Sequence, residues 1–412
     1  MLKHVQETMV DEVISWRRHF HENPELSYEE HETSEYIYTI LSALSGLEVT
    51  RPTKTSVMAV LKGDKAAAQK QNIIAFRADI DALPIEEETE LECKSRNPGV
   101  MHACGHDAHA AMLLGAAKIL SEKKAAINGE IRFIFQHAEE VLPGGAQELV
   151  KKGVMEGVEF AFALHVTPYE RTGTICLRDG VFCAAADDFE IKIIGQGGHA
   201  STPELTIDPL MIGAEMTTNI QNIVSRKISA LRAPVISITQ FHAGSALNVI
   251  PEYAEIGGTI RSLHSDSRVK AREYLEQIVK GVTEAHGARY ELTWHLGYPA
   301  VVNDKAAVDI SRTVMGEIFE EKQIIVVDDP MFGTEDFSAF SEIVPASMQF
   351  LGVHSDELGK AYPLHHPKFK IDERALEYGV RYFVGIAEKL CGQQPSIEGS
   401  MAGELKTGNM AE

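Results

Sequence analysis

The hydrophobic rhythm of this chain changes once and then changes back, and that interruption narrows the folds open to it. Up to Val166, apolar runs of strand length alternate with helix-like stretches. The strands are IIAFRAD at Ile73–Asp79, IRFIFQ at Ile131–Gln136 and EFAFALHV at Glu159–Val166. The helices start at Asp11 (DEVISWRRHFHENPEL) and His31 (HETSEYIYTILSAL), with HAAMLLGAAKIL between the first two strands. Apolar strands separated by helices predict an α/β sheet covered on both faces, with its chemistry at strand ends. From Asp187, DDFEIKIIGQG alternates with period two. The predicted order is then a helix over 208–227, strands over 234–242 and 252–261, a helix over 267–286 and a strand over 290–295, a βαββαβ unit. The first pattern resumes with a helix over 305–319, a strand over 348–353 and a helix over 372–390. The expectation is a discontinuous α/β domain of residues 1–186 and 298–391, an inserted α+β, ferredoxin-like domain of residues 187–297, and a polar tail over 392–412.

Charge removes some partners. Among 412 residues, 60 Asp and Glu face 39 Lys and Arg, for a net charge of −21. Nucleic acids and anionic membranes need a cationic footprint that this composition lacks, so neither is expected as a partner. No run approaches the ~18–20 apolar residues of a bilayer span, and MLKHVQETMV has no apolar export segment. Five cysteines form no dense framework and leave one over. Both observations lead us to expect a cytoplasmic, reducing location.

MHACGHDAHAA places His102, Cys104, His106, Asp107 and His109 close together. Cys-x-His suits a loop wrapped on a metal, since positions i and i+2 diverge on a helix, and Gly105 frees the backbone for that wrap. The plainer alternative is a helix start with Asp107 as its cap and a buried thiol. Glu139 and Glu140 follow the strand at Ile131–Gln136, so one carboxylate could ligate a metal while its neighbour serves as general base; a solvated loop is the alternative. His165 ends another apolar strand, and His365 and His366 lie in LHHPKF before the last helix. Jointly these residues form an N/O/S set suited to one or two divalent transition ions. In IIGQGGHASTPE three glycines precede His199, in neither phosphate-binding spacing. The loop is a simple turn, or it offers His199 as an N–H donor to an oxyanion.

These motifs resemble the aminoacylase/carboxypeptidase family of metal-dependent peptidases, in its hippurate hydrolase-like amidohydrolase branch. The resemblance runs through RRHFHENPELSYEEHET, FRADIDALP, FQHAEE, ALHVTP, DDFEIKIIGQGGHASTPE, NVIP with GTIR, FGTEDFSAF and LHHPKFKIDE, about 370 residues. It implies an α/β metallopeptidase domain with a central mixed sheet and an inserted lid that often dimerises. It implies two divalent ions per subunit, manganese or zinc foremost with cobalt or nickel as alternatives, held by Cys104, His106, Glu140, His165 and His365, with Cys104 at the bridging position. Glu139 would take a proton from metal-bridged water and return it to the leaving amine, while Asp81 orients a ligand from behind. His199 resembles the lid histidine that stabilises the tetrahedral intermediate, in many relatives at a neighbouring subunit's site. Asn248 and Arg261 fall in segments that line the substrate, and Arg261 is a candidate for gripping a carboxylate.

The implied reaction is metal-dependent hydrolysis of N-acyl amino acids, N-acetyl or N-aroyl, by a homodimer or homotetramer joined through the lid. A dipeptidase or aminopeptidase with the same centre is the alternative, and it would need a carboxylate for the free amine. A metal-binding or redox-sensing protein built on Cys104 is a third reading, in which Glu139 has no purpose. This chain departs from the pattern in three places: Glu204 stands where relatives carry a second histidine, and His137 and His366 add imidazoles near the proposed metals. Between the two late histidines, His365 is the one aligned with the family position.

Overall fold

A computed structural model describes residues 6–63 and 72–392. The polar tail expected over 392–412 falls outside the described residues except for Gly392. Eight strands form the main sheet in the spatial order Leu47–Thr50, Val57–Lys62, Gly129–Gln136, Asn72–Asp79, Phe160–Arg171, Ala346–His354, Ile175–Leu177 and Ile324–Val326. The four central strands are mutually parallel, and antiparallel partners flank them, so the sheet is mixed. Strand Asn72–Asp79 lies between the two strands that follow it in sequence. The chain therefore reverses its direction of winding there, and the carboxyl ends at that switch open a crevice.

Both faces of the sheet are buried because alternate residues serve different cores. Phe76, Phe133 and Phe162 point to the helical layer formed by Glu7–Glu22, His106–Glu122 and Ala375–Cys391, while Ala75, Ile134, Ala161 and Met348 point to the other face. Helix His106–Glu122 is apolar nearly all round, as a fully enclosed helix must be. Small residues let its neighbours approach closely: a Cβ on Gly115 would lie 2.7 Å from Val13 Cγ2. Among the described residues no helix is long and apolar enough to cross a membrane.

Residues 185–296 build a separate antiparallel sheet in the order Val235–Ala243, Tyr253–Ser262, Ala185–Ile194 and Arg289–Leu296. Helices Pro209–Asn222 and Ser265–Ala285 share one core with this sheet, and the elements run β–α–β–β–α–β along the chain. The segments entering and leaving it are tied together. Ala186 N–H donates to the Tyr298 carbonyl at 3.0 Å, and Gly297 N–H donates to Asp187 Oδ1 at 3.2 Å. Arg268, from helix Ser265–Ala285, grips the Asp187 carboxylate at 2.8 and 2.5 Å and donates to the carbonyls of Ala186 and Gly297.

Asp187 is 1% exposed and its other guanidinium, Arg272 Nε, stands 3.8 Å away, so removing Arg268 leaves a buried charge poorly paired. Arg268→Met is expected to lower unfolding stability by about 3 kcal/mol in denaturant titration. The Arg268→Met/Asp187→Asn double variant should cost less than the sum of the two single changes, because the pair acts as a unit.

Candidate active site

Five chain segments converge at the carboxyl ends of the central strands. Strand Asn72–Asp79 leads to Asp81, strand Gly129–Gln136 leads to Glu139 and Glu140, and strand Phe160–Arg171 carries His165. The loop before helix His106–Glu122 supplies Cys104, and Gly105 makes its turn at φ 92°. Any side chain at residue 105 would be strained by that angle, and its Cβ would lie 2.3 Å from Val166 Cγ2. Gly105 thus holds the N-cap position, not Asp107, and His106 is the first helical residue. A late loop brings in His365 at φ 64°, its N–H donating to the Ala103 carbonyl at 2.9 Å.

The donor atoms gather tightly. Ligand atoms of Cys104, His106 and His165 lie within 4.8 Å of one another, as do those of Cys104, Glu140 and His365, and those of His106, Glu139 and Glu140. Cys104 Sγ is 3.4 Å from His165 Nε2, while His165 Nδ1 donates to the Val166 carbonyl at 2.7 Å and so aims the Nε2 lone pair at the thiol. On His106, Nδ1 lies 3.0 Å from the Asp81 carbonyl and 3.2 Å from Asp81 Oδ1, which turns Nε2 inward, where it would be an acceptor toward a cation once its proton is displaced. That Nε2 and Glu140 Oε1 are buried and make no hydrogen bond, although they stand 3.9 Å apart and His365 Nε2 is 3.2 Å from the same oxygen. Buried polar atoms are normally paired, so inward-facing acceptors of imidazole, carboxylate and sulfur type fit a cation.

The charge state points the same way. Burial, then Glu140 and Glu139, push the Cys104 thiol well above its usual range, and burial, then Glu335, Glu140 and Asp336, do the same to Glu139. Burial opposes protonation of His106, but Asp79 and Asp81 outweigh it and raise the imidazole to about 10. Protons are retained where negative charge is in excess, and a divalent cation would relieve that excess.

A cleft of about 300 Å³ opens beside these groups. Cys104, Glu139, Glu140, His165 and His365 line it, as does Arg261 from the second sheet. Met331, Phe332, Met348, Phe350 and Leu364 give it an apolar wall. His199 and Asn248 are exposed on the second sheet's side and do not line this cleft; they adjoin each other, Ala200 N–H donating to the Asn248 carbonyl at 3.1 Å. Glu204 is exposed in the short turn Pro203–Leu205 and also lies off the cleft. The two extra imidazoles expected near the metals are turned elsewhere. His137 points its Nε2 at Glu148 Oε2, 3.2 Å away, and His366 stacks on Tyr362 and accepts from Lys368 N–H.

Sequence reasoning missed a layer behind the ligands. His109 is fully engaged, Nδ1 with Asp79 at 2.5 Å and Nε2 with Val166 N–H at 2.9 Å. Arg77 contacts Asp79, Glu335 and Asp336. The Tyr298 hydroxyl donates to the Glu139 carbonyl at 2.7 Å. The motifs FRADIDALP and FGTEDFSAF contain several of these residues but carry no sign of their partners. A second buried group sits under the Cys104 loop: Asp107 Oδ2 is 2.8 Å from Arg17 Nε and 2.7 Å from His21 Nδ1, and His21 Nε2 is 3.3 Å from Glu87. Burial and the charge of Arg17 pull His21 down, yet Asp107 and Glu87 outweigh them and leave it raised.

Comparison with known proteins adds the following. Residues 75–389 match peptidase family M20/M25/M40. An N-acyl-L-amino acid amidohydrolase of Geobacillus stearothermophilus is 51% identical over 303 residues, covering 73% of this chain and 80% of that protein. Thermostable carboxypeptidase 2 of Saccharolobus solfataricus is 41% identical over 92% of this chain and 95% of its own. The crystal structure of a dinuclear metal-binding peptidase of the M20 family from Bacillus subtilis is similar with a TM-score of 0.79 at 34% identity, covering 93% of this chain and 98% of that one.

The His21 network has a pH signature. A histidine whose proton affinity rises on folding stabilises fully below its unfolded pKa of ~6.5, and loses that contribution as pH climbs through the higher folded value. His21→Gln should therefore destabilise more at pH 6 than at pH 9, as measured by denaturant unfolding at both.

Proposed function

The chain belongs to peptidase family M20/M25/M40, and from that premise we propose that it hydrolyses the amide bond of N-acyl amino acids, releasing a carboxylic acid and a free amino acid. The observation that carries this reading is the cleft itself, which sets an apolar wall and a single guanidinium, Arg261, around the buried Glu139 and the partly buried Glu140. Cys104, His106, Glu140, His165 and His365 would hold two divalent ions, manganese or zinc foremost. When bound, such ions polarise an amide carbonyl and make a water nucleophilic at neutral pH. The side chains supply the rest. The apolar wall takes the acyl group, and Arg261 receives the α-carboxylate, fixing which carbonyl faces the donors. Glu139 would accept the proton of the attacking water and pass it to the leaving amine, its carboxylate standing at the cleft beside Glu140.

An aminopeptidase reading needs a carboxylate free to meet a substrate ammonium. Glu204 lies off the cleft, and Glu335, which does line it, is occupied by Arg77 Nη2 at 2.9 Å and by Phe337 N–H. A buried acid–base carboxylate at the cleft also argues against a silent redox sensor.

His199 would complete the site of a second copy, because it is exposed and stands off its own chain's cleft. Nearby apolar side chains suit such a contact: Leu205, Met211 and Leu247 are between 62% and 107% exposed. We place the assembly in the cytoplasm, where its five unpaired thiols would stay reduced.

Glu139→Gln should keep metal content near two ions per chain and lower kcat by about 10²–10⁴-fold on N-acetyl or N-benzoyl amino acids. Unchanged turnover would remove Glu139 as the base, and turnover confined to free dipeptides would move the assignment to a peptidase. Mixing inactive His199→Ala and Glu139→Gln chains under subunit exchange should restore about a quarter of wild-type sites, since half of the dimers then carry one complete site. No recovery after verified exchange would place His199 outside the partner's site.

A further inference from the structure

Glu30 is fully buried and has no part in the chemistry described so far. Among the described residues, three non-glycine residues adopt the left-handed backbone region: Tyr28 at φ 69°, Ala138 at φ 49° and His365 at φ 64°. All three surround the candidate site, where strained backbone concentrates when geometry matters more than stability. Two of the three share one acceptor. The N–H of Tyr28 donates to Glu30 Oε1 at 3.0 Å, and the N–H of Ala138 donates to the same oxygen at 2.7 Å.

Ala138 immediately precedes Glu139 and Glu140, and its conformation decides where those two side chains point. The strand Gly129–Gln136 ends two residues earlier, and an extended continuation would send the pair to opposite sides of the sheet. The left-handed turn at Ala138 instead brings both to the cleft. Three further contacts grip the same tripeptide: Gly145 N–H donates to the Ala138 carbonyl at 2.9 Å, Glu140 N–H donates to Asp81 Oδ2 at 3.0 Å, and the Tyr298 hydroxyl donates to the Glu139 carbonyl at 2.7 Å. Of the four, the Glu30 contact alone reaches Ala138 N–H. For an alanine the left-handed region is unfavourable because Cβ crowds the carbonyl that follows it, so some interaction must hold it there.

We propose that Glu30 is a positioning residue, whose carboxylate holds Ala138 in the left-handed conformation and thereby aims Glu139 at the reacting water and Glu140 at the metal site. This rests on the role of Glu139 given above. A carboxylate acceptor makes a stronger bond to N–H than a neutral one does, which suits it to offset strain. Burial, then the charge of Asp81, push the Glu30 carboxyl up to about 7, so its uncharged isostere is a mild replacement. The hydroxyl of Ser27 donates to Asp81 Oδ2 at 2.7 Å, so residues 27–30 brace both Asp81 and Ala138. That gives the PELSYEE stretch a mechanical purpose in the reaction.

The test compares Glu30→Leu, Glu30→Gln and the Glu30→Leu/Ala138→Gly double variant, each measured for kcat, KM, metal content and thermal midpoint on an N-acyl amino acid that the wild type hydrolyses. Glu30→Leu should lower kcat by about tenfold or more with KM within about threefold, and Glu30→Gln, which keeps an acceptor oxygen, should stay within about threefold of wild type. Glycine takes the left-handed region without strain, so the double variant should recover most of the lost kcat even though it gains no stability. If Glu30→Leu does not fold, Glu30→Asp carries the same test, because it keeps the charge but draws the carboxylate back by one methylene; Ala138→Gly should then rescue it. Full kcat in Glu30→Leu or Glu30→Asp, or a loss that Ala138→Gly leaves untouched, overturns the proposal. Glu139→Gln measured alongside separates the two readings. If it turns over normally, the base assignment falls; if it is inactive while Glu30→Leu works normally, the positioning role alone falls.

Discussion

Everything at the site hangs on one buried guanidinium. Arg77 is 2% exposed and bonds four groups at once: Asp79 at 2.7 Å, Glu335 at 2.9 Å, Asp336 at 2.8 Å and Gln136 Oε1 at 2.8 Å. Those partners stand at the ends of two adjacent parallel strands and in the loop before helix Ser338–Ser341, so a single side chain sets how these segments meet. Gln136 closes the frame by donating to Asp336, and Ala146 N–H does the same at 3.0 Å. Hydrophobic packing could hold the sheet without this group, but it could not fix strand ends with a directional bond at each. The frame is costly to break, because each carboxylate left without its partner would be a buried charge, at about 3–5 kcal/mol. Part of the surplus is borne by protonation: burial, then Glu335, raise Asp336 to about 8 against the pull of Arg77.

Inside that frame the groups are sorted by whether they are paired. His109 and Asp79 have all the partners they need, and they support. Glu140 Oε1 and His106 Nε2 make no hydrogen bond, and they face the space between the ligand residues. A buried acceptor left unpaired costs about 1–3 kcal/mol, so inward-facing acceptors of this kind fit a site that binds a cation. The strain at Ala138 follows the same economy: local backbone stability is given up so that two adjacent carboxylates reach one cleft.

How much of this was legible in the sequence varied with the range of the interaction. The alternation of apolar strands and helices, and the break in rhythm near Asp187, are local patterns, and most of the expected elements lie within a few residues of observed ones; the strands Leu47–Thr50, Val57–Lys62, Ile175–Leu177 and Ile324–Val326, half of the main sheet, were not read, being short or at the sheet's flanks. The cluster around Cys104 and the pair Glu139–Glu140 could be read because their residue types stand close together in the chain. Pairing across the fold could not. Nothing local in HACGHDAH says that His109 spends both nitrogens on Asp79 and Val166 while His106 keeps one free, or that Asp107 answers Arg17 from the first helix instead of capping its own. His137 read as a possible neighbour of the metals because it sits next to the carboxylate pair, but the left-handed turn at Ala138 separates them, and a turn of that hand on an alanine has no sequence signature. Tyr298 and Glu30 were invisible for the same reason, each acting on a backbone group more than a hundred residues away.

The second sheet adds a division of labour that follows from where its residues sit relative to the tie at Asp187. Arg261 pairs across the sheet with Ala186, one residue from that tie, whereas His199 lies beyond Ile194 at the far end of the same strand. At about 3.3 Å per residue, the strand Ala185–Ile194 is a lever of about 30 Å. Any rotation about the Arg268–Asp187 tie moves Arg261 little and His199 a great deal. The guanidinium proposed to receive the substrate carboxylate therefore sits at the lever's near end, beside the apolar wall of the cleft. A donor carried at the lever's far end is, by the same geometry, the part of the site most sensitive to that posture. On the roles proposed for Arg261 and His199, substrate selection and transition-state support would be mechanically separable in this fold, even though one strand connects them.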